Sequence, residues 1–154
     1  MKYSNEMTLT ISALSQNESF IRSSVASFSV LLNPSIEEIG DIKTAVSEAI
    51  TNCIVHAYKG RNGADRITVK VGITDRTLVI DIIDYGSGID DVSLAMQPFF
   101  TSGNTEERSG MGFTVMQALM DELKVTSKPN KGTHVLMKKH IQQTNNDIDE
   151  GADA

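Results

Sequence analysis

Glu48, Asn52 and His56 recur at every fourth position of one stretch of chain. On a helix, residues four apart lie on one face, so these three would form a polar stripe. A carboxylate and an amide oxygen one turn apart are hard oxygen donors. They could orient a nucleophile and ligate Mg²⁺. The plainer alternative is a hydrogen-bonded polar edge, because polar groups beside a buried face need partners. A second group, Asp84-x-Gly86-x-Gly88, directly follows an apolar run. Its glycines would let backbone approach a flat ligand, and its carboxylate could accept a hydrogen bond from an exocyclic amine. A tight turn would also explain it. The third group, Ser109-Gly110-Met111-Gly112, opens an apolar periodic segment. Backbone N–H groups at a helix start favour phosphate, though many helix starts simply tolerate glycine.

The elements that must carry these groups are legible in the periodicity. Residues 7–13 alternate apolar and polar and predict a half-buried strand. Ser15-Gln16-Asn17-Glu18 has the form of a capping box opening a helix with Ile21, Val25, Phe28 and Leu32 on one face. Asn33-Pro34 ends it. A second box, Ser35-Ile36-Glu37-Glu38, starts a long helix with Ile39, Ile42, Val46, Ala49, Cys53 and Ala57 aligned, stopping at Gly60. Ile67–Thr74 then alternates, Asp75-Arg76 makes a short connection, and Thr77–Asp84 reads as a second, more apolar strand, so that the two predict a hairpin. Residues 97–112 predict a long loop rich in small residues, of a length that is functional or disordered. A helix from about Gly112 to Leu123 follows. Strands Lys124–Ser127 and Thr133–His140 close the pattern around Pro129-Asn130-Lys131-Gly132. This order predicts an α+β, two-layer sandwich, with helices on one face of a mixed, mostly antiparallel sheet.

Composition excludes several classes. The chain of 154 residues, 40% hydrophobic and 22% charged, suits one soluble domain, expected over 1–141. No apolar run approaches the roughly 18 residues of a membrane span. The start carries no signal-like apolar segment. One cysteine, Cys53, allows no internal disulfide, and a reducing cytoplasm is the expected location. Four of the acids lie in the last eight residues, leaving 14 basic against 16 acidic groups elsewhere. Without a basic cluster, direct nucleic-acid binding is not expected. Residues 142–154 are polar and acidic and are expected to be a disordered tail.

Taken together, a helix with ExxxNxxxH, a DxGxG after a strand, a loop and a GxG helix start resemble the Bergerat ATP-binding fold. Gyrase, the Hsp90 chaperones, MutL and sensor histidine kinases share that fold. Neither a GxxxxGK[ST] P-loop nor the VAIK, HRD and DFG set of ordinary protein kinases is present. Glu48-Ala49-Ile50-Thr51-Asn52-Cys53-Ile54-Val55-His56-Ala57-Tyr58 is similar to the first box of the anti-sigma-factor serine kinases. Ala13–Phe20, Pro98-Phe99-Phe100-Thr101 and Glu107–Thr114 strengthen that resemblance. Sensor kinases carry an upstream phosphoacceptor histidine, whereas the three histidines here are His56, His134 and His140.

The resemblance implies ATP or ADP with Mg²⁺ as cofactors. It implies Asn52 as the Mg²⁺ ligand, Asp84 as the adenine-reading carboxylate, and Gly86 and Gly88 lining the base pocket. Gly110 and Gly112 would lie beside the phosphates, with Thr101, Ser109 and Met111 also at the nucleotide and residues 97–109 as a lid. Glu48 would activate a serine hydroxyl, a step a positioned carboxylate can perform. Arg108, the lid's fixed positive charge, would meet the γ-phosphate or else simply face solvent. His56 is expected to be structural. The implied function is dual: ATP-dependent retention of the sporulation sigma factor F away from RNA polymerase, and serine phosphorylation of an anti-anti-sigma factor. A homodimer is implied, and the first helix, charged only at Glu18 and Arg22 between Gln16 and Leu32, offers an interaction face. Two alternatives remain open at this point: a nucleotide-dependent binding module without transfer activity, and a detached histidine-kinase-type catalytic domain.

Overall fold

The computed structural model describes residues 2–58, 65–98 and 112–142. Period-two stretches become strands: β1 (Asn5–Ser12), β2 (Arg66–Thr74), β3 (Thr77–Asp84), β4 (Glu122–Lys128) and β5 (Gly132–His140). They form one sheet in the order β1-β2-β3-β5-β4. All four pairings are antiparallel, so the parallel element of the expected mixed sheet is absent among the described residues. Asp75, at φ 50°, makes the left-handed step that closes the β2–β3 hairpin.

The α-helices are α1 (Glu18–Ser29), α2 (Ile36–Thr51), α3 (Val92–Ala95) and α4 (Gly112–Leu119). Ile21 and Val25 of α1, Ile42, Val46, Ala49 and Ile50 of α2 and Met116 of α4 are buried in one core. They meet the inward residues Ile67, Val69, Val71, Ile80, Ile82, Val135 and Met137 of the sheet. The second capping box forms as expected: Ser35 Oγ accepts from Glu38 N–H at 3.1 Å, and Glu38 Oε1 accepts from Ser35 N–H at 2.9 Å.

The first box does not form. Ser15–Asn17 is a 3₁₀ turn without a side-chain cap. Asn17 instead donates to Ser12 O at 2.9 Å, and Glu18 pairs with Arg22 at 3.1 Å. The helix expected to reach Leu123 stops at Leu119, because the chain is drawn onto the sheet edge. Asp121 N–H donates to Lys138 O at 2.9 Å, and Asp121 Oδ2 accepts from His140 N–H at 2.6 Å. The short α3, capped by Asp91 on Leu94 N–H, lies in a stretch that periodicity left unassigned.

The larger departure is at the end of α2. Helical geometry continues through Asn52–Ala57, but as a π-helix, with Tyr58 N–H donating to Cys53 O at 3.0 Å. The wider turn holds one extra residue, and the buried series runs Cys53 to Tyr58 rather than Cys53 to Ala57. The expected stop at Gly60 lies outside the described residues, as do the tail from 143 onward and most of the lid.

Candidate functional site

Three separated motifs meet on the C-terminal part of α2 and its π-helical extension. Glu48 and Asn52 stand one α-turn apart, and both are half-buried. The start of α4 lies directly against them. A methyl group added to Gly112 would stand 3.3 Å from Asn52 Nδ2, 3.3 Å from Glu48 Oε2 and 3.4 Å from Asn52 Oδ1. The absence of a side chain at 112 is what lets the opening backbone of α4 reach that pair.

The Asp84 motif meets the same helix one turn later. Asp84 ends β3 and is only 4% exposed. Its Oδ1 accepts the Gly86 N–H at 3.0 Å, closing an Asx turn. Burial pushes the Asp84 carboxyl above its ordinary value; the Gly86 amide, the Cys53 thiol, the Thr133 backbone and then His134 act in the opposite direction. Burial, and after it the neighbouring Asp84, raises the Cys53 thiol well above its usual range, so it stays protonated and donates to the carboxylate. Cys53, which the sequence offers only as an apolar helix position, is therefore part of the site.

The rest of the loop is pinned on both sides. Gly86 packs so closely on the Ala57 carbonyl that a methyl there would stand 2.7 Å from the Ala57 carbonyl carbon. Ser87 N–H donates to Ala57 O at 3.1 Å, and Asn130 N–H donates to Ser87 O at 2.6 Å. Gly88 has φ 74° and lies against Lys128 and Pro129, a conformation and a space that admit glycine.

Glu48, Asn52, Asp84, Gly86 and Gly112 are thus gathered along one helical edge, with Gly88 held on the other side of the loop by Lys128 and Pro129. His56 lies within the π-helix and, like Glu48 and Asn52, is half-buried. Thr101, Arg108, Ser109, Gly110 and Met111 lie outside the described residues. The donor set at Gly112 consists of one amide oxygen and one carboxylate. No cluster of three or more acidic, His or Cys ligands exists among the described residues. A cation held mainly by substrate oxygens and water, with one or two protein oxygens, fits such a set, and Mg²⁺ is bound that way.

Residues 11–139 match the family model described as the histidine kinase-like ATPase domain. A curated relative from Caldanaerobacter subterraneus subsp. tengcongensis, named anti-sigma F factor, is 57% identical over 141 residues, covering 92% of this chain and 97% of the relative. This chain belongs to the anti-sigma F factor family. A relative of the same name from Clostridium acetobutylicum is 50% identical over 135 residues, covering 88% and 93% of the two chains. Among solved structures, the RsbU and RsbW domains of a Mycobacterium tuberculosis protein superpose with a TM-score of 0.67 at 18% identity, covering 92% of this chain and 34% of that one. The histidine kinase domain of a blue-light activated kinase from Erythrobacter litoralis gives 0.53 at 22%, covering 82% and 60%. At those identities the likeness is one of fold. As an ATPase-domain family member, the chain is of a nucleotide-binding, kinase-type class. No helix among the described residues is long and apolar enough to cross a membrane.

Proposed function

We propose that this protein is an ATP-dependent anti-sigma factor and serine kinase. It retains sigma factor F away from RNA polymerase and phosphorylates an anti-anti-sigma factor on serine. The observation that carries this reading is the packing of Gly112 against both Glu48 and Asn52. A pure nucleotide binder needs the amide for metal but has no use for a carboxylate beside the phosphate-facing helix start.

In this reading, residues 1–141 form one nucleotide-binding domain that binds ATP or ADP with Mg²⁺ in the cytoplasm. Asp84 accepts the exocyclic amine of adenine, with Gly86 and Gly88 giving the base close access to the backbone. Gly110 and Gly112 offer amides to the phosphates, and Thr101, Ser109 and Met111 flank them. Asn52 Oδ1 contributes the protein's oxygen to the metal. Mg²⁺, when bound, neutralises phosphate charge and lowers the cost of transfer. Glu48 takes the serine proton as the serine oxygen–phosphorus bond forms and the bond from phosphorus to the ADP oxygen breaks. Arg108 offers positive charge to the transferring group. Exposed Phe20 in the first turn of α1, and exposed Val30 and Leu31 just past its last turn, support a homodimer or partner contact involving that helix.

Incubation with γ-labelled ATP, Mg²⁺ and the candidate anti-anti-sigma factor, followed by phosphoamino-acid analysis, tests the proposal. Phosphoserine on the partner is expected. Nucleotide binding without transfer would establish a binding module instead, and acid-labile phosphohistidine would establish a histidine kinase.

A further inference from the structure

The β2–β3 ladder ends at the pair Ile67–Asp84. The next residues in register are Arg66 and Tyr85, and they do not pair directly. The buried Tyr58 hydroxyl stands between them. Tyr85 N–H donates to Tyr58 Oη at 2.7 Å, and Tyr58 Oη donates to Arg66 O at 2.6 Å. A side-chain oxygen thus replaces one rung of the sheet, immediately after Asp84.

Inserting an oxygen into a ladder has two consequences. The strands cannot close at that rung, so β3 is released from β2 at Tyr85 and the chain turns into the Asp84–Gly88 loop. The released backbone N–H and C=O nevertheless keep partners, as buried backbone groups must. Tyr58 reaches this point because of the π-helix: one extra residue in a turn rotates the residues after it by about 100° relative to a continued α-helix. The ring fills the core at 2% exposure, while Ala57, next to it, offers its carbonyl to Ser87.

We infer that Tyr58 is a positioning residue for nucleotide recognition: its hydroxyl sets where β3 ends and so holds the Asp84 carboxylate and its loop in the base-reading position. This rests on the proposed role of Asp84. Tyr58 itself touches no nucleotide and acts through the backbone at Tyr85.

Tyr58→Phe keeps the ring and removes the oxygen, which lets Tyr85 N–H and Arg66 O pair directly. Binding of ATP and GTP to wild type, Tyr58→Phe and Asp84→Asn is measured at fixed Mg²⁺, together with hydrogen exchange of the Tyr85 amide. The expected result is a preference for ATP over GTP that falls about tenfold in Tyr58→Phe, with the ATP-to-ADP affinity ratio unchanged. A changed exchange rate at Tyr85 should accompany it. An undiminished ATP preference in a folded Tyr58→Phe protein overturns the inference. If wild type itself shows no preference for adenine, the role of Asp84 falls; an unaltered Tyr85 amide overturns the side-chain rung itself.

Discussion

Replacing Asp84 by Asn tests the base-reading role through two pH dependences of opposite sign. The substitution keeps shape and removes the charge from a side chain that is 4% exposed. A hydrogen bond to a charged group is worth roughly 1.5–3 kcal/mol, so at about 1.4 kcal/mol per decade nucleotide affinity should fall about 10- to 150-fold. The base is common to both nucleotides, so ATP and ADP should lose equally.

Burial raises the Asp84 carboxyl, so the folded protein keeps its proton where the unfolded chain has released it. The stability associated with this group is therefore full below the ordinary carboxylate value of 3.8 and is lost as pH rises through the raised value. Affinity should run the other way, because the ionised form is the better acceptor for an amine: it grows as pH rises through that same value. Calorimetric titration with both nucleotides across the acidic range, paired with denaturant unfolding of the ligand-free protein, measures the two curves. In Asp84→Asn the affinity curve should flatten. The stability slope should shrink without vanishing, because burial also raises Asp81 on the other sheet face. A loss below threefold, unequal losses for ATP and ADP, or an unchanged affinity profile would refute the assignment.

Asn52→Ala should weaken nucleotide binding most when Mg²⁺ is present; equal losses with and without the metal, in parallel titrations, would count against a metal role. Glu48→Gln retains the helix and the contact with Gly112 but cannot accept the serine proton. Single-turnover transfer at saturating Mg·ATP should drop about 10²–10⁴-fold with ATP affinity intact, and a drop under threefold would end the general-base assignment. Deleting residues 143–154 should leave the melting temperature unchanged. Ending the chain after His140 removes fully buried Ile141 and its 2.9 Å bond to Arg76 O, which should cost about 2–4 kcal/mol and roughly 5–15 °C in Tm.

Where local pattern and tertiary context agree, the chain is readable residue by residue. The β2–β3 hairpin follows from the alternation of Ile67–Thr74, the apolar run of Thr77–Asp84 and the two-residue connection between them; β3 is buried on both faces, at Ile80 and Ile82 on one and at Val79 and Ile83 on the other. The two capping boxes show the limit. Both read S-x-x-E, yet only Ser35–Glu38 closes. At the first, Arg22 lies one turn past Glu18 with a full charge to offer, and Asn17 folds back on Ser12. A neutral amide at the cap does not compete with those partners. Glu38 has an added reason to stay, since its second oxygen accepts Gln142 N–H at 3.0 Å and ties α2 to the end of β5.

The site was legible as a set of residue types, but its connections were not. Glu48, Asn52, Asp84, Gly86, Gly88 and Gly112 can be picked out by spacing. Nothing in that spacing says that Cys53 bonds Asp84, or that Ala57 and Tyr58 hold the loop. The obstacle is the assumption of one helical period. A fixed period of 3.6 assigns Ala57 to the core and leaves Tyr58 at the border, whereas the structure buries Tyr58 and turns the Ala57 carbonyl to Ser87. The residues themselves held a signal. A small Ala followed by a large Tyr suits a core position displaced by one, since the ring fills volume that a methyl would leave empty. One extra residue in one turn thus separates the two residues facing Gly112 from the two that hold the Asp84 loop, and lets a single helix serve both ends of the site.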